Sequence, residues 1–598
     1  MPAIHYTLCP RDPDTHLFEV SCTVTAPNPE GQCFQLPAWI PGSYMIRDFA
    51  RHIVTLRAEA GGKPVTLTKK DKHTWCAAPL PRTIALTLHY QVYAWDLSVR
   101  GAHLDATHGF FNGTSVFLAV MGQTTSPCIV DIQPPQARHF HDWRIITALP
   151  RDSGSFTLPY GFGRYRAASY DELIDHPVEM GHFTLGSFQA GNIPHDIALT
   201  GRHDCDMDRL CTDLARICNW QIELFGGSPP MDYYAFLTQI VGNGYGGLEH
   251  RASTALMTSR NDLPWKGMGE PGEGYIRFLG LCSHEYFHTW NIKQIKPAAF
   301  IPYDLTRENY TTLLWAFEGF TSYYDDLTLV RTGLISPERY LALLGKTISA
   351  VLRGTGRLKQ SVAESSFDAW IKYYRQDENT PNAVVSYYAK GALIALALDL
   401  QLRHKSKGKA SLDTLMRILW ERYGQTGKGI PEDALFEAVA KLGAHISNAA
   451  YGRTLARWLR KTVYGTEDLP LAHLLKPFGV HYHARTGSTA PSLNIRLAST
   501  TGEARIACVH DNGAAQCAGL AAGDILIALN GIRVDSGSLE TQLERLAIGA
   551  RVPLHYFRHD VLYTTEIELA DTAPPAIELE INPREKAAQL LRRGWLGC

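Results

Sequence analysis

The 598-residue sequence predicts a multidomain α+β protein, and three observations predict it. Apolar and polar side chains alternate strictly in the first 170 or so residues, the period of half-buried strands. Through the middle of the chain the apolar spacing shifts to three and four residues, the period of packed helices. Beyond a Pro/His/Gly/Ser-bearing stretch near residue 480, the β pattern returns.

The elements follow in order. Residues 1–170 are expected to form an antiparallel sandwich or saddle: Phe18, Val20, Cys22 and Val24 alternate, as do Ile84, Leu86, Leu88, Tyr90 and Val92. Clusters such as Ala26-Pro27-Asn28-Pro29 mark the turns, and Pro37–Tyr44 reads as an aromatic packed loop rather than a substrate contact. Residues 171–334 are mixed: a helix over 206–225, a strand over 233–241, a Gly-rich turn over 242–250 and another strand over 251–258. Residues 335–470 are expected to be helical. Ser336-Pro337 supplies an N-cap and first-turn proline, and Leu341, Leu344, Ile348 and Leu352 keep the helical period. Residues 471–490 read as a linker and 491–571 as a final β-rich domain. Residues 572–598 read as a tail whose short helix is capped by Asn582-Pro583-Arg584-Glu585.

Composition narrows the function. The 45% hydrophobic and 20% charged content is that of ordinary globular protein, and a net charge of −1 argues against a nucleic-acid partner. The most apolar run, Ala392–Leu402, is short and holds Asp399, so no membrane span is expected. The amino terminus lacks a basic segment followed by an apolar one. A cytoplasmic location is therefore expected, or a periplasmic or secreted one if a leader has been removed. The twelve cysteines, without a Cys-x-x-Cys pair, are expected to be free core thiols rather than disulfides.

Chemistry concentrates in Leu281-Cys282-Ser283-His284-Glu285-Tyr286-Phe287-His288. On a helix, His284 and His288 share one face and can hold one metal ion, with Glu285 placed to act as general base on a water. Tyr275, Leu279, Cys282, Tyr286 and Trp290 give that helix a separate apolar face, and Pro297 is expected to close it. A third ligand is needed, and Glu318, thirty residues after His288, is the candidate. Asp325 lies two turns further along the same face, placed to orient a ligand imidazole. Upstream, Gly246-Gly247-Leu248-Glu249-His250 sets a carboxylate beside glycines that let a ligand approach the backbone.

These residues carry a resemblance. His284-Glu285-x-x-His288 with Glu318 is similar to the gluzincin metallopeptidases. Gly246–His250 resembles the Gly-x-Met-Glu-Asn element of the aminopeptidase N family, which binds the substrate α-amine, with His250 in place of Asn. Tyr388-Ala389-Lys390-Gly391 resembles that family's Tyr-Glu-Lys-Gly element, whose Tyr stabilises the oxyanion; the adjacent Tyr387 is the alternative donor. His-Glu-Tyr-Phe-His-Thr-Trp-Asn and Trp-x-x-Glu-Gly-Phe-Thr-x-Tyr-Tyr resemble signatures of the glycyl aminopeptidase family, which joins such a core to a PDZ domain. The stretch Gly519-Leu520-x-x-Gly523-Asp524 is similar to PDZ domains of bacterial proteases, with Leu493-Asn494-Ile495 as the carboxylate-binding loop.

The resemblance implies a thermolysin-like catalytic domain over 171–470, followed by a PDZ domain. It implies one Zn2+ ion on His284, His288 and Glu318, with Glu285 and Tyr388 catalytic and Glu249, Gly246 and Gly247 binding substrate. The expected partners are peptides with a free N-terminus and, at the PDZ domain, a peptide or protein C-terminus. The expected activity is removal of small N-terminal residues, Gly or Ala. The alternatives are a zinc endopeptidase that recruits substrate through its PDZ domain, and a non-catalytic PDZ scaffold.

Overall fold

The computed structural model describes residues 3–136, 140–485, 491–499, 502–570, 576–582 and 586–597. The chain divides into two compact units, Met1–Asn309 with Met416–Pro431, and Tyr310–Leu415 with Glu432–Cys598.

The first unit opens with the expected β domain. The strand Leu17–Val24 alternates perfectly, and Phe18, Val20, Cys22 and Val24 all enter the core. It pairs antiparallel with Leu86–Tyr93, so that Phe18 faces Val92, Val20 faces Tyr90 and Cys22 faces Leu88. These strands sit in a seven-stranded sheet whose core is shared with two four-stranded sheets. Ile84, expected inside the second strand, lies outside it and is 39% exposed, because the turn bond from Ile84 N–H to the Pro81 carbonyl delays the strand to Leu86. The thiol expectation fails at one place. Cys33 and Cys76 are directly opposed residues of the paired strands Cys33–Gln35 and Thr74–Ala77, and they form a disulfide. Alignment across a ladder brings together residues 43 apart in sequence, which spacing does not reveal. Nine other cysteines, among the described residues, are free.

The second part of this unit is a five-stranded sheet. Its order is Phe183–Ala190, Ile193–Thr200, Tyr234–Val241, Ser253–Ser259 and, at the edge, Tyr245–Glu249. The central strand Tyr234–Val241 pairs parallel on both sides and is buried from Tyr234 to Ile240, as a strand covered on both faces must be. The edge strand runs antiparallel to its neighbour. Residues 245–249, expected to belong to a Gly-rich turn, are thus a strand. Only Gly242–Gly244 turn, because pairing with Ser253–Ser259 overrides the weak strand preference of glycine. The helix Met207–Leu224, capped by Asp206, packs on this sheet. The helix Glu273–Phe287 follows, and it ends earlier than Pro297 implied. Tight turns at Thr289 and Trp290, then Ile292 at φ 109°, redirect the chain well before the proline.

The second unit is helical, then β. Helices Leu314–Arg331 and Ala389–Ser406 approach closely at Gly319 and Gly391: a Cβ on Gly319 would lie 2.5 Å from Gly391 Cα. Asp399 at the core of that pair is held by Arg403 at 2.9 Å and by the Tyr323 hydroxyl at 2.7 Å. The helix Pro337–Arg353 starts as expected, with Ser336 Oγ accepting the Arg339 N–H. The stretch read as a linker holds regular structure in its described residues. Leu471–Leu475 is a helix, and Val480–Arg485 is a strand paired with Ala576–Ile581. A strand whose partner lies about a hundred residues away leaves no local signal. The remaining strands form a separate sheet with its own core around Leu493, Ile506, Leu529, Leu554 and Ile567. The tail helix Lys586–Leu596 is present, while Pro583, Arg584 and Glu585 of its expected capping motif lie outside the described residues. Among the described residues no helix is long and apolar enough to cross a membrane. The molecule is a multidomain α+β protein.

Candidate active site

The helix Glu273–Phe287 carries the His-Glu-x-x-His residues, and the first unit fixes it at three points. Tyr275 donates its hydroxyl to Asp213 at 2.9 Å. The Gln221 amide donates to the Ser283 carbonyl and hydroxyl oxygens, each at 2.9 Å and fully buried. Tyr286 and His195 meet hydroxyl to Nε2 at 2.9 Å. His195 Nδ1 lies 3.0 Å from the Ile193 carbonyl and must donate to it, so Nε2 accepts from Tyr286 and the ring is neutral. Burial agrees, pushing the His195 pKa down to about 4.

His284 and His288 face each other, Nε2 to Nε2, at 3.1 Å. His288 Nδ1 donates to the Asn291 carbonyl at 2.8 Å, which leaves its Nε2 lone pair directed at His284. Two imidazole nitrogens at this separation match adjacent corners of a tetrahedral zinc site, about 3.3 Å apart for bonds of roughly 2.0–2.1 Å. The donor chemistry fits zinc on the same grounds.

Glu285, 5% exposed, points from the same helix toward the edge strand. Any β-carbon on Gly247 would overlap its carboxylate, so a larger residue there would displace Glu285. Glu249, two residues along the strand, is also buried, and its carboxylate, that of Glu285 and an His288 nitrogen lie within 4.8 Å of one another. Glu249 Oε1 is buried without a hydrogen-bond partner among the described residues. Two carboxylates this close in a dry site call for positive charge beside them. Gly42, at φ 93° in the Pro37–Tyr44 loop, closes the other side: a Cβ there would lie 2.5 Å from Glu249 Oε2. The loop expected merely to pack therefore packs against this carboxylate.

In the second unit, Glu318 is 2% exposed on the helix Leu314–Arg331. Tyr388 stands at the N-terminus of Ala389–Ser406, its hydroxyl 3.3 Å from that of Tyr374. Burial, then the negative charge of Glu318, raises the Tyr388 pKa well above the usual phenol value, so it is a hydrogen-bond donor at any physiological pH. Tyr387 stacks on Tyr388 and packs against Tyr373 at a tilt of 46°. Asp325 lies on the Glu318 helix and accepts the Asp326 N–H at 2.6 Å.

Residues 5–182 match the Peptidase M61 N-terminal domain, 277–394 the M61 glycyl aminopeptidase and 491–569 a PDZ domain. A crystal structure of an aminopeptidase N family protein from Idiomarina loihiensis is 42% identical, with a TM-score of 0.93 over 99% of this chain and 100% of that one. This chain belongs to the glycyl aminopeptidase family. It is a metallopeptidase. The M1 zinc metallopeptidase from Deinococcus radiodurans is 15% identical, with a TM-score of 0.48 over 78% of this chain and 94% of that one. No curated protein matches the chain.

In this glycyl aminopeptidase family member, sequence reasoning missed the group that anchors the Glu249 end of the strand. His250 Nδ1 lies 3.3 Å from Asp175, which also takes Lys293 at 2.8 Å and Arg251 at 3.4 Å. Burial alone would raise the Asp175 carboxyl, but Lys293 and Arg251 outweigh it and hold it well below the usual range. Lys293 follows His288 by five residues, so the network ties the edge strand to the loop after the helix Glu273–Phe287. Only the replacement of the family's Asn by His250 hinted at it. A second His/Asp cluster, His103, Asp105 and His108, is consumed by bracing a turn. Asp105 takes the Thr107 and His108 N–H groups, and buried Glu179 takes His108 at 2.9 Å.

In the PDZ domain Asn494 sits at φ 57°, a backbone state Asn tolerates better than most residues. Leu493, Asn494 and Ile495, with Leu539 and Leu543, line one side of a cavity of about 800 Å³ whose other side is formed by Arg353, Val384 and Ala389 of the helical region.

Proposed function

We propose that this chain is a zinc-dependent aminopeptidase that removes small N-terminal residues, Gly or Ala, from peptides. The observation that carries the reading is Glu249: a buried carboxylate with an orphaned oxygen, within 4.8 Å of Glu285 and His288. A substrate ammonium satisfies that oxygen with a charge-assisted bond and places the first peptide bond beside the metal helix.

His284, His288 and Glu318 would hold the metal. The facing Nε2 atoms support the first two, and the buried position of Glu318 within the matched residues 277–394 supports the third. When bound, zinc supplies the Lewis acidity that makes water nucleophilic at neutral pH. Glu285 takes the proton of the attacking water and delivers it to the departing amine. Tyr388, kept protonated by its surroundings, donates to the oxygen that gains charge as the carbonyl is attacked. Gly246 and Gly247 let the substrate backbone lie against the strand. Preference for a small residue is supported by the matched family and by the Gly42 loop, which leaves little space beside Glu249. At the PDZ groove we assign a peptide or protein C-terminus as ligand.

The test is hydrolysis of a Gly-X-X peptide against its N-acetylated twin by the zinc-loaded protein. Cleavage of the free-amine peptide alone, from its N-terminus, is expected. Internal cleavage of both would make this an endopeptidase, and cleavage of neither would exclude the peptide class.

A further inference from the structure

The open side of the edge strand can be read from its ladder. His250 N–H donates to the Ser253 carbonyl across the Arg251-Ala252 turn. Bonded pairs alternate along an antiparallel ladder, so Leu248 with Ala255 and Gly246 with Met257 are the next bonded pairs. The N–H and C=O groups of Gly247 and Glu249 therefore point away from the sheet, to the side where an extended peptide would add.

Arg100, from the loop after the strand Leu86–Tyr93, reaches this same side. Its Nη2 lies 3.5 Å from the Gly247 carbonyl, the limit of a hydrogen bond. Its Nη1 is 3.7 Å from where a Gly246 Cβ would stand. Its Nε is buried without a partner, and among the described residues Arg100 makes no ion pair. The loop holds it firmly: Ser98 Oγ accepts the Arg100 N–H at 3.1 Å, and the buried Asn112 amide donates to the Val99 carbonyl at 2.9 Å. A half-buried guanidinium cannot discharge itself by losing a proton, and here most of its five donors are unspent. It is preorganised for a planar anion.

We propose that Arg100 receives the C-terminal carboxylate of short peptides, making the site selective for di- and tripeptides. The proposal rests on the reading above, in which Glu249 holds the α-amine. Successive open positions of a strand are about 7 Å apart. A chain anchored at Glu249 and running antiparallel to the edge strand thus reaches Gly247 within two or three residues. A carboxylate arriving there meets Arg100; a longer chain presents a neutral amide instead.

The experiment compares Gly-X, Gly-X-X and a Gly-led hexapeptide, each as free acid and as C-terminal amide, with the full-length zinc-loaded protein. The acids of the two short peptides should be preferred over their amides by about 10- to 100-fold in kcat/KM, chiefly through KM. The hexapeptide should show no preference. In Arg100→Ala the acid-to-amide ratio should fall to about one, with part of it restored in Arg100→Lys. A ratio near one in the unaltered enzyme, or an undiminished ratio in Arg100→Ala, overturns the proposal. Failure to cut any free-amine peptide would instead strike the aminopeptidase reading. In that case, calorimetric binding of Gly-X acid and amide to the inert Glu285→Gln protein decides on Arg100 alone: equal affinities reject it, and an acid preference lost in the double variant with Arg100→Ala supports it.

Discussion

Gly247 lies directly against Glu285, so closely that a β-carbon on Gly247 would occupy the space of the Glu285 carboxylate. The edge strand Tyr245–Glu249 and the helix Glu273–Phe287 are thus fitted to each other at one point. Gly247→Ala should displace Glu285 and lower kcat at least 10-fold, with little change in melting temperature. Glu285→Gln should keep its zinc and lose 10²- to 10⁴-fold in turnover. Near-normal rates in Glu285→Gln, alongside full metal content, would remove Glu285 as general base.

Glu249→Ala should raise KM for free-amine peptides by about 10- to 100-fold, the worth of one charge-assisted bond. Blocked peptides should be unaffected. Measuring both on the same preparation is the check, and equal effects would mean that Glu249 shapes the cleft without holding the amine.

Glu318→Ala should lose bound zinc after dialysis against a chelator, read by elemental analysis. Circular dichroism of the variant checks that its fold survives, and the close approach of the two helices at Gly319 and Gly391 is untouched by the substitution. Full zinc occupancy in that variant would reassign the third ligand.

Tyr388→Phe should depress kcat by about 10²–10³ and change KM little, the signature of a donor used only as charge develops. If turnover stays near normal, the donor is Tyr387, and Tyr387→Phe should then show the loss.

Stability should fall in mild acid. Burial lowers the pKa of His195 and of His176 to about 4. Unfolded histidines titrate near 6.5, so between about pH 6.5 and 4 the unfolded chain binds more protons than the folded one. The stabilisation from each neutral ring is complete above pH 6.5 and is lost as pH falls toward 4, by up to about 3 kcal/mol per residue. Denaturant midpoints measured from pH 7.5 to 4.5 give the slope. A flat profile would mean that neither ring is held neutral.

Much of this molecule was legible in its sequence, for physical reasons particular to each element. The alternation through Phe18, Val20, Cys22 and Val24 is dictated by the strand period, and His284 and His288 share a helix face because four residues make about one turn. Ser336 announced a helix start because capping is a contact between near neighbours in sequence. Where the rule is local, the sequence suffices.

The rest depends on contacts between distant segments, and only the tertiary structure decided it. Cys33 and Cys76 are bonded because two strands align them. Val480–Arg485 is a strand because Ala576–Ile581 lies beside it, and Gly246-Gly247 is a strand because Ser253–Ser259 pairs with it. Gly42 and Glu249 are more than two hundred residues apart, as are Asp304 and the Trp39 ring nitrogen bonded to its carbonyl. Composition and spacing determined which groups this protein has for its chemistry. Folding decided which of them meet, because side-chain contact in three dimensions is set by sheet register and helix packing, not by distance along the chain.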